Sequence, residues 1–156
     1  MKKSLLLIAI IALLFTACKK DGDSSPVVIN PNASITCKVD GVLWTALTRV
    51  TSNTAGNFII NGTTFSGDAL NISTLGDTTG TYTLGTLSYH STASYSPKAS
   101  NPDSLYTAIN GTVIITEVDD VNKRVSGTFQ FNCVNVLNQN LNIAITEGEF
   151  LYLNYH

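Results

Sequence analysis

The sequence predicts an all-β fold, a single antiparallel β-sandwich, on three observations. From Ser34 onward apolar and polar residues alternate with a period of two, as in strands buried on one face only. Gly, Asn and Asp punctuate nearly every junction, as at Asp40-Gly41, Asn61-Gly62, Gly76-Asp77, Gly80 and Asn110-Gly111, where turn chemistry is expected. No window of helical length carries a 3.6-residue period with caps. A small lipocalin-like β-barrel is the alternative architecture, because a run of up-and-down strands can close on itself.

Two segments of a different kind precede the strands. Residues 1–17 open with Met-Lys-Lys-Ser and continue through an unbroken apolar run, Leu5 to Phe15, into Thr16-Ala17. A charged start, an apolar middle and small residues before a cleavage point make an export signal. The run is shorter than the ~20 residues that span a bilayer. Cys18 follows Ala17 directly, which is the arrangement of a lipoprotein signal, although Phe15 stands where Leu is commonest. Cleavage after Ala17 is expected to leave Cys18 as the lipidated N-terminus. The other reading is a plain secretory signal with Cys18 as a bystander. Lys19 to Ala33 carries Gly, Ser, two prolines and mixed charge, so residues 18–33 read as a flexible tether. The remaining residues, 34–156, suffice for one domain.

Within the domain, Ile35-Thr36-Cys37-Lys38-Val39 alternates, Asp40-Gly41 is a two-residue hairpin turn, and Val42-Leu43-Trp44 begins the return. Further strands are expected at Thr48–Thr51, Asn57–Asn61, Ala69–Thr74, Thr81–Leu84, Leu87–Tyr95, Tyr106–Ile109, Thr112–Val118, Arg124–Val136 and Leu141–Tyr155. The clearest hairpin turns over Asp119–Lys123, with Val125, Gly127, Phe129, Phe131 and Cys133 on the inner face of its return strand. In the last strand Leu141, Ile143 and Ile145 face in, and Glu147 then falls on the same face. A bulge at Gly148 would turn Glu147 outward and bring Phe150 and Tyr152 inward. Burial of both faces after Gly148, using Leu151 and Leu153, is the competing reading. Pro97 to Ser104 reads as an exposed loop.

From Ser34 onward the basic residues are Lys38, Arg49, Lys98, Lys123 and Arg124, outnumbered by acidic ones. No basic patch exists to draw in nucleic acid. Cys37 and Cys133 share their strand faces with apolar neighbours, so both thiols are expected in the core. In an oxidising envelope a Cys37–Cys133 disulfide is one reading; two free thiols packed as small hydrophobes is the other.

Several short patterns occur in order: the lipoprotein signal, Cys18-Lys19-Lys20-Asp21, Val39-Asp40-Gly41 with Trp44, Gly80-Thr81-Tyr82-Thr83-Leu84, Lys123-Arg124-Val125-Ser126-Gly127-Thr128-Phe129 and Ile145-Thr146-Glu147-Gly148-Glu149-Phe150. Together they resemble a family of small Bacteroidota lipoproteins carrying a domain of unknown function. The resemblance implies an outer-membrane lipoprotein, on the periplasmic face or at the cell surface. Lys19-Lys20-Asp21-Gly22-Asp23 is similar to the acidic signal of surface-exposed members, with Gly22 interrupting it. It implies no activity, cofactor or catalytic residue.

The residues themselves offer little for catalysis. His90 and His156 are the only histidines, and neither belongs to a cluster with metal-ligand spacing. His90 is expected to face solvent from a strand. Asp119, Asp120 and Asn122 have oxygen ligands of the calcium kind, but the same residues serve a hairpin turn. Glu147 and Glu149 lie on one face of an ideal strand and invite comparison with a glycosidase pair; surface charges are the simpler account. Aromatic rings beside Asn and Thr suit sugars or apolar ligands, which makes Tyr82, Tyr89, Tyr95 and Tyr106 candidate ligand contacts, while Trp44 reads as core. Asp77-Thr78-Thr79 and Asp103-Ser104-Leu105 resemble bacterial O-glycosylation sites, at Thr78 and Ser104. The expectation is therefore a non-enzymatic envelope protein without a cofactor, held to the membrane by its N-terminal lipid. It would bind a glycan, a protein or an envelope component. A carrier of a small apolar ligand is the alternative.

Overall fold

A computed structural model describes residues 30–156; the signal, Cys18 and most of the tether lie outside the described residues. Ten strands form the domain: β1 (Ser34–Val39), β2 (Val42–Thr45), β3 (Thr48–Thr54), β4 (Asn57–Thr63), β5 (Ala69–Ser73), β6 (Gly80–Gly85), β7 (Thr92–Ser96), β8 (Tyr106–Asp119), β9 (Arg124–Asn135) and β10 (Asn142–Asn154). They make one antiparallel sheet in the order β2-β1-β10-β9-β8-β7-β5-β4-β3, with β6 also paired to β8.

The sheet curls until its two ends meet. Its terminal strands, β2 and β3, are consecutive in the chain, and the corner between them is bonded on both sides. Ala46 N donates to Ile35 O at 3.0 Å and Leu47 N to Thr63 O at 2.8 Å. Thr51 of β3 bridges Tyr155 just beyond β10, and Asn53 N donates to His156 O at 2.9 Å. The all-β antiparallel expectation holds, and two halves of one continuous sheet face each other across the core. Phe58, Ile60, Ile72, Val113, Ile145 and Phe150 are fully buried there. Each such side chain contributes ~1.5–3 kcal/mol relative to exposure.

Local chemistry explains most of the elements. Asp40 (φ 48°) and Gly41 (φ 82°) make the expected turn, whose twist matches the flanking strands. The β8–β9 turn is held by Asp119, whose carboxylate accepts from Val121 N, Asn122 N and Asn122 Nδ2. Trp44 is buried as expected. Glycine opposite it is a matter of space: a Cβ on Gly62 would lie 3.0 Å from the indole ring and from Ala46 Cβ.

Several expectations are corrected. Asn61-Gly62 lies inside β4 and Asn110-Gly111 inside β8, so neither is a turn. The bulge near Gly148 is present, with Glu147 at φ 51°, exposed, and Phe150 buried. A second bulge follows, however. Tyr152 (φ 48°) points out at 41% exposure, and Leu153 takes the inner position. The strand expected over Leu87–Tyr95 is shorter, beginning at Thr92. Residues 86–91 instead loop out between β6 and β7, which run in the same direction against β8. His90 sits in that loop rather than on a strand, half-buried against Gly85, with its Nδ1 enclosed.

Candidate functional site

The outer face of β4, β5 and β7 is built from short uncharged polar groups. Alternation sends Phe58, Ile60, Leu70, Ile72, Ala93 and Tyr95 inward, leaving their neighbours outside. Register then aligns Asn61 with Asn71, and Asn71 with Ser94. The next row aligns Thr63, Ala69 and Ser96. Asn71 Nδ2 donates to Asn61 Oδ1 at 2.6 Å. Since each side-chain amide has both donor and acceptor capacity, the pair still presents the Asn61 NH2 group and the Asn71 carbonyl outward.

Residues 97–105 form a wall along this face. The loop is tied down at several points. Ala99 N donates to Gly67 O at 2.9 Å. Asn101 caps the 3-10 turn Pro102–Ser104 through Asp103 N. Buried Asn135 donates from Nδ2 to Asp103 O at 2.9 Å, and Val136 N reaches Leu105 O at 3.0 Å. Between wall and sheet lies an open groove of about 300 Å³. Ala99, Pro102 and Leu105 form its apolar side, and Asn61, Asn71 and Ser94 its polar side. Among the described residues, none that lines the groove carries a charge. Amides and hydroxyls opposite an apolar wall suit a neutral polyol ring or a neutral peptide.

The four tyrosines expected to contact ligand form no common platform. Tyr95 is buried and burial pushes its phenol up to about 12. Tyr106, opposite Tyr95 in the β7–β8 register, packs half-buried against the same core. Tyr82 supports a loop: its hydroxyl donates to Thr78 O at 2.7 Å, and its ring covers Gly76. Tyr89 alone stands free, 71% exposed in the 86–91 loop, edge-on to His90 at 4.6 Å. Cross-strand packing claims Tyr95 and Tyr106, and a loop contact claims Tyr82.

Of the two glycosylation candidates, Thr78 is exposed. Ser104 Oγ lies 2.7 Å from the carbonyls of Lys98 and Asn101 and 2.8 Å from Ser96 Oγ, so it is engaged within the loop. Cys37 and Cys133 are both buried and unbonded, on β1 and β9 with β10 between them. The free-thiol reading is the one realised, and the disulfide is not formed. Burial pushes both thiols up to about 12. Cys133 Sγ reaches Ile143 O at 3.3 Å. Glu147 and Glu149 are exposed, and Glu147 pairs with Lys38 Nζ at 2.8 Å. Asp119 is occupied by its own turn.

Sequence reasoning missed Asn61, Asn71 and Ser94. The signal was present for Asn61: the inner positions Phe58 and Ile60 continue in step to Gly62, which makes Asn61 an outward strand residue and not the start of a turn.

A family model described as a domain of unknown function (DUF6252) matches residues 31–153. No curated protein and no solved structure shows significant similarity to the chain.

Proposed function

The chain belongs to the DUF6252 family, and from that premise we propose that it is a lipid-anchored, non-enzymatic binding module of the bacterial cell envelope. The uncharged groove between the 97–105 loop and the Asn61-Asn71-Ser94 row carries this reading, with a neutral glycan as its ligand. The anchor is the lipidated Cys18 of a Bacteroidota-type lipoprotein signal, and the destination is the outer membrane. In favour of surface binding over carriage of an apolar ligand, the space inside the curled sheet is occupied by packed side chains such as Phe58, Phe129 and Phe150.

Two experiments test the two halves of the proposal. Cys18→Ala should move the protein from the membrane fraction to the soluble fraction; retention in the membrane would refute lipid anchoring. Protease shaving of intact cells with a periplasmic control then assigns the face. Applied to an array of neutral and charged glycans, the full-length protein should retain neutral glycans, and Asn61→Ala with Asn71→Ala should abolish that signal. Retention unchanged in the double variant would refute the groove.

A further inference from the structure

A second recess lies beside the groove on the same outer face. It holds about 400 Å³ over β8 and β9, and Thr86, Thr107, Ile109, Val134, Val136 and Gln139 line it. We propose that the two recesses form one site, and that its ligand is a neutral glycan chain rather than a single sugar ring. The inference rests on the neutral-glycan reading of the groove and extends it.

Register makes the two recesses continuous. Asn61, Asn71, Ser94, Thr107 and Val134 stand opposite one another in turn on β4, β5, β7, β8 and β9. Ser94 lines the groove, and Thr107, its partner across the ladder, lines the second recess. The two also meet at the loop. Asn135 lines the second recess and donates from Nδ2 to Leu105 O at 3.3 Å, and Leu105 belongs to the groove wall. Successive strands are ~4.8 Å apart, so the row from Asn61 to Val134 runs about 19 Å across the sheet. One ring cannot touch both ends.

The chemistry of the groove repeats in the second recess. On the outward row next to Thr107 and Val134, Asn132 Nδ2 donates to Asn110 Oδ1 at 3.0 Å, as Asn71 does to Asn61. Each pair leaves an amide NH2 group and a carbonyl for a ligand. Ile109 and Val136, 44% and 46% exposed, take the part that Pro102 and Leu105 play in the groove. Among the described residues, none that lines either recess carries a charge. A repeated set of uncharged contacts fits a chain of repeated neutral units. An extended peptide is held instead through main-chain bonds at a sheet edge, and β4, β5, β7, β8 and β9 all lie inside the sheet.

The test is retention of the full-length protein on arrayed neutral oligosaccharides of glucose, mannose and galactose, each from one to six residues long, beside a glycine–serine peptide. On the sugar that is recognised, retention should rise at least tenfold from monosaccharide to hexasaccharide. Ile109→Ser and Val136→Ser, at exposed positions, should each lower hexasaccharide retention at least threefold and leave disaccharide retention unchanged. Asn61→Ala with Asn71→Ala should abolish both. Retention independent of length, or unchanged hexasaccharide retention in both recess variants, would overturn the chain and leave the groove standing. No retention of any neutral sugar would overturn both readings, and equal retention of the peptide would overturn the choice of a glycan. The dependence on length is read on the parent protein, so it decides even if a variant fails to fold.

Discussion

The ring of Phe129 lies directly on Gly148, its partner across the β9–β10 ladder. A Cβ on Gly148 would collide with the Phe129 ring and with the Phe129 carbonyl. The same relationship recurs between the Phe150 ring and Gly127, while Gly111 is pressed against the Phe131 Cβ and the Gln130 carbonyl. Phe129 sits 6.3 Å from both Phe131 and Phe150, and two rings of this cluster, Phe129 and Phe150, are seated on glycines. Glycine is retained in these strands because another chain segment must approach closely.

Gly148→Ala should therefore destabilise the domain although it adds one methyl group. Overpacking of this kind costs ~1–3 kcal/mol, and here the obstruction includes backbone, which cannot rotate away. The denaturant midpoint of the variant measures it. A midpoint equal to that of the parent would show that the strands separate at no cost.

The thiols make stability depend on pH in the alkaline range. Cys37 and Cys133 rise from an ordinary value of 9.0 to about 12 through burial. Between those values the unfolded chain loses its thiol protons while the native chain keeps them. Stability is then complete below pH 9 and falls as pH rises toward 12, by ~1.4 kcal/mol per pH unit for each thiol. Tyr95 and Tyr155, raised from 10.0 to about 12, add to the slope only above pH 10. Urea midpoints at pH 8, 9 and 10 should show the fall, and Cys37→Ala with Cys133→Ala should flatten the interval from 9 to 10. A slope identical in the double variant would refute the thiols as its source.

How far the fold was legible depended on whether a residue conflicted with its position. Glu147 conflicted with an inward position, so the bulge beside it was readable. Leu151, Tyr152 and Leu153 are all apolar enough for either face, so nothing local announced the second bulge that sends Tyr152 outward. Asn61-Gly62 and Asn110-Gly111 looked like turns because their glycines answer to distant neighbours, the Trp44 ring and the β9 backbone at Gln130 and Phe131, that no short window contains. Tyr95 and Tyr106 are amphipathic, and only the packed core shows which end of each ring prevails. The groove was less legible still. The groove needs a loop and three strands in register.

Glu147 offers a test of the bulge itself. Its φ of 51° costs a non-glycine residue ~1–2 kcal/mol, and its ion pair with Lys38 joins side chains that are 67% and 40% exposed. Exposed pairs contribute ~0–1 kcal/mol. Relief of backbone strain should thus outweigh loss of the pair, and Glu147→Gly should leave stability unchanged or raise it slightly. Glu147→Val, β-branched at a positive φ, should lower it. Thermal melts of both variants decide the matter, and a large loss in Glu147→Gly would mean that the ion pair dominates.

Ser104 links loop order to the groove. Its hydroxyl lies within 2.7–2.8 Å of Lys98 O, Asn101 O and Ser96 Oγ, so one group gathers the loop and fastens it to β7. Ser104→Ala removes that group; the Lys98 and Asn101 carbonyls are exposed and keep their backbone donors, so the loss is that of ordinary hydrogen bonds, ~0.5–1.5 kcal/mol, and it falls on the loop rather than on the core. The expected outcome is faster proteolysis within 97–105 and faster hydrogen exchange of the Ala99 amide, which donates to Gly67 O, with the global melting temperature little changed. Glycan retention by the groove should weaken in parallel, because Pro102 and Leu105 form its apolar wall. An unchanged cleavage rate would show that Asn135 and the Ala99–Gly67 bond hold the loop without it. The same contacts bear on glycosylation: a sugar on Ser104 must displace them, whereas Thr78 is exposed, so any O-linked mass on the mature protein should vanish in Thr78→Val and persist in Ser104→Ala.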